Sequence, residues 1–261
     1  MAGDLLNIQN LVIAVNDAER PQKIVDGVNL TVGEQKIVAL VGGSGSGKTT
    51  TGLSILGLLP MSLAVRQGEI MFRGENLLTA SARRLQEIRG KEIAMVFQEP
   101  LNAFNPVFRI GDQLEEVLII HTSLAVQQRK ARALELLHTV GISDPVRVAR
   151  SYPHQLSGGM RQRAMIAQAI AAGPKLLIAD EPTSSLDVTL QAHIMELLKK
   201  LQAELKISIL LITHDLGMVK HMADEVAVLF GGKVVEYGPA EAVVHHPQHA
   251  FTRQLMEAFR Y

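Results

Sequence analysis

Residues 42–49 read Gly-Gly-Ser-Gly-Ser-Gly-Lys-Thr, a string that fits the phosphate-binding pattern G-x-x-x-x-G-K-[ST]. Glycines let a backbone close around phosphate oxygens, and amide N–H groups at a helix start point inward at them. The chemistry implied is the cradling of a polyphosphate. Gly42, Gly43, Ser44, Gly45, Ser46 and Gly47 wrap it, Lys48 reaches the β and γ phosphates, and Thr49, with Thr50 beside it, offers a hydroxyl to Mg²⁺. Far downstream an apolar run ends in a carboxylate pair, Asp180-Glu181. Such a pair suits phosphoryl transfer, with Asp180 holding Mg²⁺ directly or through water and Glu181 polarising an attacking water. A second glycine cluster, Leu156-Ser157-Gly158-Gly159-Met160, lies between loop and carboxylates, and His214 ends a further apolar run.

The elements that must position these groups are legible as alternating patterns. Ile37-Val38-Ala39-Leu40-Val41 leads into the glycine loop and Thr50-Thr51-Gly52-Leu53-Ser54-Ile55-Leu56 follows it, which is the strand–loop–helix setting the loop requires. Leu11-Val12-Ile13, Gly27-Val28-Asn29-Leu30 and Gln67-Gly68-Glu69-Ile70-Met71-Phe72 read as further strands. Residues 111–150 change character. Leu114, Val117 and Leu118, then Ala131, Leu134, Leu137 and Val140, recur at helical spacing between the Asn105-Pro106 and Tyr152-Pro153 turns. After Gly173-Pro174, Leu176-Leu177-Ile178-Ala179 has the wholly apolar look of a buried parallel strand, as does Ile207 to Ile212. Leu190, Ile194, Leu197, Leu198 and Leu201 mark an amphipathic helix between the two. Val226 to Phe230, Gly231-Gly232 and Lys233 to Glu236 read as a hairpin with a two-residue turn. Strands alternating with helices predict a parallel α/β core.

Bulk properties narrow the class. Lys plus Arg and Asp plus Glu both number 26, so there is neither a basic field for nucleic acid nor an acidic tail. The absence of cysteine rules out disulfides, thiolate zinc sites and Fe–S clusters built on this chain. The start, Met1-Ala2-Gly3-Asp4-Leu5, has no signal-peptide pattern, and the longest apolar runs fall short of the ~18 residues that span a bilayer. These features predict a cytoplasmic globular chain that something else must hold at any membrane it serves.

In this order the motifs resemble those of the ATP-binding subunits of ABC transporters, over essentially the whole of residues 1–261. Gln98, in Met95-Val96-Phe97-Gln98-Glu99-Pro100, is similar to the family's Q-loop glutamine, a Mg²⁺ contact and a relay to membrane subunits. Ser157, Gly158 and Gly159 resemble the signature that completes the ATP site of an opposing subunit. Ser184-Ser185-Leu186-Asp187 resembles the D-loop, with Ser184 and Asp187 its site residues, and His214 resembles the switch histidine at the γ-phosphate. The resemblance implies an α/β P-loop NTPase fold of ABC ATPase type, a RecA-like core with an antiparallel β subdomain and an inserted helical subdomain at about residues 104–160, all within one domain. It also implies Mg²⁺ with ATP, bound through Thr49, Gln98 and Asp180, and catalysis by Lys48, Glu181 and His214. The implied partners are a second ATPase subunit of a different kind, making a heterodimer, two integral membrane permeases and an extracytoplasmic binding protein. The implied location is peripheral, on the cytoplasmic face of the plasma (inner) membrane.

Several segments resemble the nickel/peptide importer subfamily: Ile55-Leu56-Gly57-Leu58-Leu59-Pro60, Phe104-Asn105-Pro106, Ser157 to Arg163, and His214 to Val219. Gly42-Gly43 opening the loop, Val65-Arg66-Gln67-Gly68-Glu69-Ile70 and a stop at Tyr261 without a cysteine-bearing extension resemble the nickel-import subunit most, which predicts nickel as cargo. A di/oligopeptide or other metal-chelate importer is the alternative. A soluble accessory ATPase of phosphonate degradation is a more distant one, and the coiled-coil insertion of repair ATPases and the tandem cassettes of translation factors are missing. The first strand departs from the family at Val15, where an aromatic usually stacks on adenine. His245, His246 and His249 have a metal-binding composition but read as a solvated loop around Pro247.

Overall fold

The computed structural model describes residues 3–17, 22–184 and 186–258. In chain order its elements are β1 (Asp4–Val15), β2 (Lys23–Gly33), β3 (Ile37–Gly42), α1 (Lys48–Ile55), β4 (Leu63–Phe72), β5 (Glu75–Asn76), α2 (Ala82–Ile88), β6 (Ile93–Val96), α3 (Pro100–Ala103), α4 (Ile110–His121), α5 (Val126–Thr139), α6 (Pro145–Arg150), α7 (Gly158–Ile170), β7 (Leu176–Asp180), α8 (Val188–Leu205), β8 (Ser208–Thr213), α9 (Leu216–Met222), β9 (Glu225–Phe230), β10 (Lys233–Pro239), α10 (Ala240–His245) and α11 (Ala250–Ala258). They divide into two compact units, residues 1–86 with 206–261 and residues 87–205.

The first unit holds two sheets. One is antiparallel, in the order β2-β1-β4-β5. Its central strand explains why the sequence showed only Leu11 to Ile13 of β1. Leu6, Ile8, Leu11 and Ile13 are all buried, yet the spacing between Ile8 and Leu11 is odd. Asn10 takes a left-handed φ of 47° there, and the pairing with β2 shifts register. A bulge of this kind reverses which residues face the core, so the apolar alternation changes phase within a single strand. The second sheet's strands within this unit run β10-β9-β3-β8, with β3 parallel to both β8 and β9. β3 and β8 are buried throughout, as wholly apolar parallel strands must be. β9 and β10 form the expected hairpin. Gly231 and Gly232 both have positive φ (55° and 78°), the primed-turn geometry whose twist matches the flanking strands.

In the second unit β6 and β7 pair in parallel, Ile93 with Leu176 through Val96 with Ala179. Helices α4, α5, α6 and α7 pack on one another around Leu114, Leu118, Leu136, Leu137, Val148 and Ile166, none more than 1% exposed. The buried Gln113 holds the loop before α4. Its Oε1 accepts the Asn105 N–H at 2.9 Å, and its Nε2 donates to the carbonyls of Asn105 (3.0 Å) and Phe108 (3.1 Å). One side chain thereby satisfies three backbone groups of a turn that has no ladder of its own.

Candidate nucleotide site

The glycine loop leaves the buried end of β3 and enters α1 at Lys48, so its amides sit where the helix dipole favours anions. Its glycines are of two kinds. A Cβ at Gly42 would stand 2.2 Å from the Leu229 carbonyl oxygen on β9, and one at Gly47 would stand 2.8 Å from the Ile24 carbonyl oxygen on β2. Gly47 also has φ 104°, which a side chain would strain. At Gly43 and Gly45 no atom of the described residues, chain neighbours aside, lies within 4 Å of where a Cβ would be. The first pair is glycine because neighbouring strands press on the loop. The second pair faces space that a ligand can take.

Lys48 is only 5% exposed, and its ammonium donates to the carbonyls of Gly42 (2.9 Å) and Gly43 (3.0 Å), which draws it back along the loop. Ser44 and Gly45 are exposed at the loop's crest, Thr49 is exposed at the helix start, and Thr50 is half-buried. Ser46 is buried, with no hydrogen-bond partner for its hydroxyl among the described residues. Such an orphaned oxygen in a loop rich in inward amides fits a polar guest. His214 follows β8 in the same unit and is exposed, and the Asp215 N–H donates to the Thr213 hydroxyl at 3.0 Å to shape the exit from the strand.

The second unit carries the carboxylates. Asp180 ends β7 and is 3% exposed, whereas Glu181 turns out of the strand with φ 44°. A left-handed glutamate costs on the order of 1 kcal/mol or more, and here it redirects a side chain that the strand would otherwise bury. Gln98, just past β6, donates from Nε2 to Glu181 Oε2 at 3.3 Å. Two residues far apart in sequence thus meet at the ends of paired strands. Ser157 caps α7, its hydroxyl accepting the Met160 N–H at 3.3 Å, and Gly158 and Gly159 approach the side chains of Leu186 and Leu190. Asp187 caps α8 through the Leu190 N–H (2.9 Å), and Gln191 donates to the carbonyls of Thr183 and Leu186. Ser184 sits within that braced turn, its N–H reaching the Glu181 carbonyl; Ser185 lies outside the described residues. The structure therefore groups Gly42 to Thr50 with His214 in one unit, and Gln98, Ser157 to Gly159, Asp180, Glu181, Ser184 and Asp187 in the other.

The donor set suits a polyphosphate with a hard divalent cation. In the first unit amides and an ammonium suit anionic oxygens, and the Thr49 hydroxyl is an oxygen donor of the kind a hard cation takes; in the second, Gln98 and Asp180 offer amide and carboxylate oxygens. Among the described residues no cluster of three or more His, Cys, Asp or Glu could hold a metal. Two histidines of the C-terminal segment are engaged locally: His249 Nδ1 accepts the Phe251 N–H at 3.2 Å, and His245 lies 3.9 Å from Glu241.

Comparison with known proteins decides what this arrangement belongs to. The family model described as ABC transporter matches residues 25–184, which contain the glycine loop, Gln98, the second glycine cluster and the carboxylates. The chain belongs to the ABC transporter family. A further model, described as an AAA domain of a putative AbiEii toxin, matches only residues 150–219. The oligopeptide transport ATP-binding protein OppD of Bacillus subtilis is 45% identical over 97% of this chain and 71% of its own length. The dipeptide transport ATP-binding protein DppD of Escherichia coli is 43% identical over 97% of this chain and 78% of its own. Among solved structures, a dimeric post-hydrolysis state of the ATP-binding cassette MJ0796, bound to ADP and Pi, superposes with a TM-score of 0.80 at 30% identity, covering 90% of this chain and 98% of that one. This ABC ATPase has the cassette fold and hydrolyses ATP coupled to transport, and its relatives are of peptide-importer type. Among the described residues no helix is long and apolar enough to cross a membrane.

Sequence reasoning passed over two features. Arg66 of β4 donates from Nη2 to the side chain of Asn16 at 3.2 Å and towards the Val15 carbonyl at 3.5 Å. Glu236 of β10 accepts the backbone N–H groups of Gln248 (2.8 Å) and His249 (3.0 Å) at the start of α11. Both are contacts across strands or segments, with no local pattern to announce them.

Proposed function

We propose that this ABC ATPase powers the import of di- or oligopeptides. It acts as one of two ATPase subunits held on the cytoplasmic face of the plasma membrane by two integral membrane proteins, which an extracytoplasmic binding protein supplies. The observation carrying the cargo is the run of peptide-transport relatives matched along 97% of the chain. A dimeric relative bound to ADP and Pi supports the pairing, whether with a copy or with a second kind of ATPase subunit.

In this reading the amides of Gly43 to Gly47 and the ammonium of Lys48 hold the phosphates, and Thr49, Gln98 and Asp180 would hold Mg²⁺. Bound with ATP, Mg²⁺ screens phosphate charge and helps stabilise charge that builds up in transfer. Glu181 orients and deprotonates the attacking water, with Gln98 fixing one of its carboxylate oxygens. His214 senses the γ-phosphate. Ser157, Gly158 and Gly159 present a capped helix start to the nucleotide of the opposing subunit, and the braced turn at Ser184 and Asp187 fixes their distance from the carboxylates. ATP would thus join two subunits, and hydrolysis would part them.

Nickel import is the second reading, resting on Gly42-Gly43 and the Val65 to Ile70 segment. The test is uptake of a labelled dipeptide and of labelled nickel by cells lacking the chain, complemented with wild type or Glu181→Gln. Dipeptide uptake restored by wild type alone is expected; restoration of nickel but not dipeptide uptake transfers the cargo to the second reading. In the purified protein Glu181→Gln lowers turnover by on the order of 10²–10⁴. Near-normal turnover in that variant would remove Glu181 from the mechanism.

A further inference from the structure

A nucleotide whose phosphates lie on the glycine loop must put its base somewhere, and the first 71 residues contain no Phe, Tyr, Trp or His to receive it. The ground beside the loop is nonetheless well defined. Gly47 abuts the Ile24 carbonyl on β2, and α1 packs on the same strand. β2 in turn pairs with the end of β1, where Ala14 opposes Lys23 and the Val15 N–H bonds the Gln22 carbonyl at 2.9 Å. The end of β1 is therefore one strand spacing, ~5 Å, from the strand that touches the loop.

On the far side of β1, Ala14 pairs with Ala64 and Ile13 with Val65 of β4. Arg66 follows. Instead of extending outward, its side chain returns over β1 and bonds Asn16 Oδ1 and the Val15 carbonyl. Both bonds run from Nη2 and lie in the guanidinium plane, so neither uses a face of that plane. Only two arginines precede Phe72, and the other, Arg20, lies outside the described residues. Of the described Phe and Tyr rings elsewhere in this unit, Phe72 is buried, Phe230 and Phe251 stack on each other at 4.2 Å, and the Tyr237 hydroxyl bonds Glu225 and the Thr31 carbonyl.

We propose that Arg66, pinned by Asn16 and the Val15 carbonyl, is the platform on which the nucleotide base stacks. Nucleobases stack on guanidinium planes as they do on aromatic rings. The choice of base is then weak, because every base offers a π-face to a plane that makes no hydrogen bonds to its edge. The proposal rests on the assignment of the glycine loop to nucleotide phosphates.

Equilibrium binding of ADP, GDP and inorganic pyrophosphate to the full chain, each with Mg²⁺, tests it. Arg66→Ala should weaken ADP and GDP roughly tenfold each and leave pyrophosphate unchanged. Arg66→Lys, which keeps the charge and loses the plane, should bind ADP as poorly as Arg66→Ala. Arg66 is exposed, so neither change disturbs the core. Wild-type ADP affinity in Arg66→Lys would overturn the proposal, as would a loss of pyrophosphate affinity in step with ADP. A wild-type chain that bound neither ADP nor pyrophosphate would defeat the glycine-loop assignment itself, and the platform with it.

Discussion

Replacing Gly42 and Gly43 by alanine, one at a time, separates what the glycine loop does for the fold from what it does for the ligand. At Gly42 the new methyl would stand 2.2 Å from the Leu229 carbonyl oxygen and 2.8 Å from the Ser46 hydroxyl oxygen. Ordinary contact between carbon and oxygen needs over 1 Å more than the first of these. β3 and β9 must then part locally, at the position where Gly42 pairs with Leu229. Overpacking of this kind costs ~1–3 kcal/mol and more where backbone blocks backbone. In a chain of this size 1 kcal/mol lowers Tm by roughly 2–4 °C, so at ~3 kcal/mol, the upper end that a backbone clash calls for, Gly42→Ala should melt about 6–12 °C early. At Gly43 nothing among the described residues beyond its chain neighbours opposes the methyl, and Tm should stay within about 1 °C of wild type. The methyl would instead occupy the space assigned to phosphate, so the affinity for ADP and pyrophosphate should fall by about tenfold or more, the penalty of a displaced charge-assisted hydrogen bond. Differential scanning calorimetry and calorimetric binding read the two quantities separately. Equal losses of Tm in both variants, or unimpaired binding in Gly43→Ala, would refute the division of the loop into strand-facing and ligand-facing glycines.

Glu236 should make the C-terminal helix sensitive to acid. Burial pushes its carboxyl upward, but the Gln248 N–H, the neighbouring Thr252 hydroxyl, and the N–H and imidazole of His249 together outweigh this, and its pKa lies below the ordinary value. Its stabilisation is therefore complete above the unfolded carboxylate pKa and disappears as pH falls through the lower folded value. Amide exchange at Phe251 to Met256 should accelerate over that acid window in wild type and be fast at neutral pH in Glu236→Ala. A pH-independent exchange pattern would count against the cap. Asp187→Ala removes the cap of α8 and should lower stability by about 1 kcal/mol. Because Asp187 also ends the turn that carries Ser184, which Gln191 of the capped helix braces, turnover should fall by more than the stability loss alone explains, and unchanged turnover would leave Asp187 a cap and nothing else.

What could be read in the sequence follows from which interactions are local. The glycine loop announces itself because β3, the loop and α1 are consecutive, and each needs particular residues at fixed spacing. The hairpin at Gly231-Gly232 is legible for the same reason, since positive φ at two successive positions admits little but glycine. The apolar runs of β7 and β8 show as buried parallel strands because both faces are covered. β1 was only half visible because Asn10 inserts a bulge, and a phase change hides an alternation that each half obeys. The Gln98–Glu181 hydrogen bond, the pinning of Arg66 and the Glu236 cap join residues 83, 50 and 12 or 13 positions apart. No spacing rule reaches that far, since such contacts exist only once strands have found their register. Residue types therefore state the chemistry available, while orientation comes from pairing. In Glu181 the two meet: its carboxylate is evident from the sequence, but the left-handed turn that brings it out of β7 to Gln98 is a property of the folded strand end.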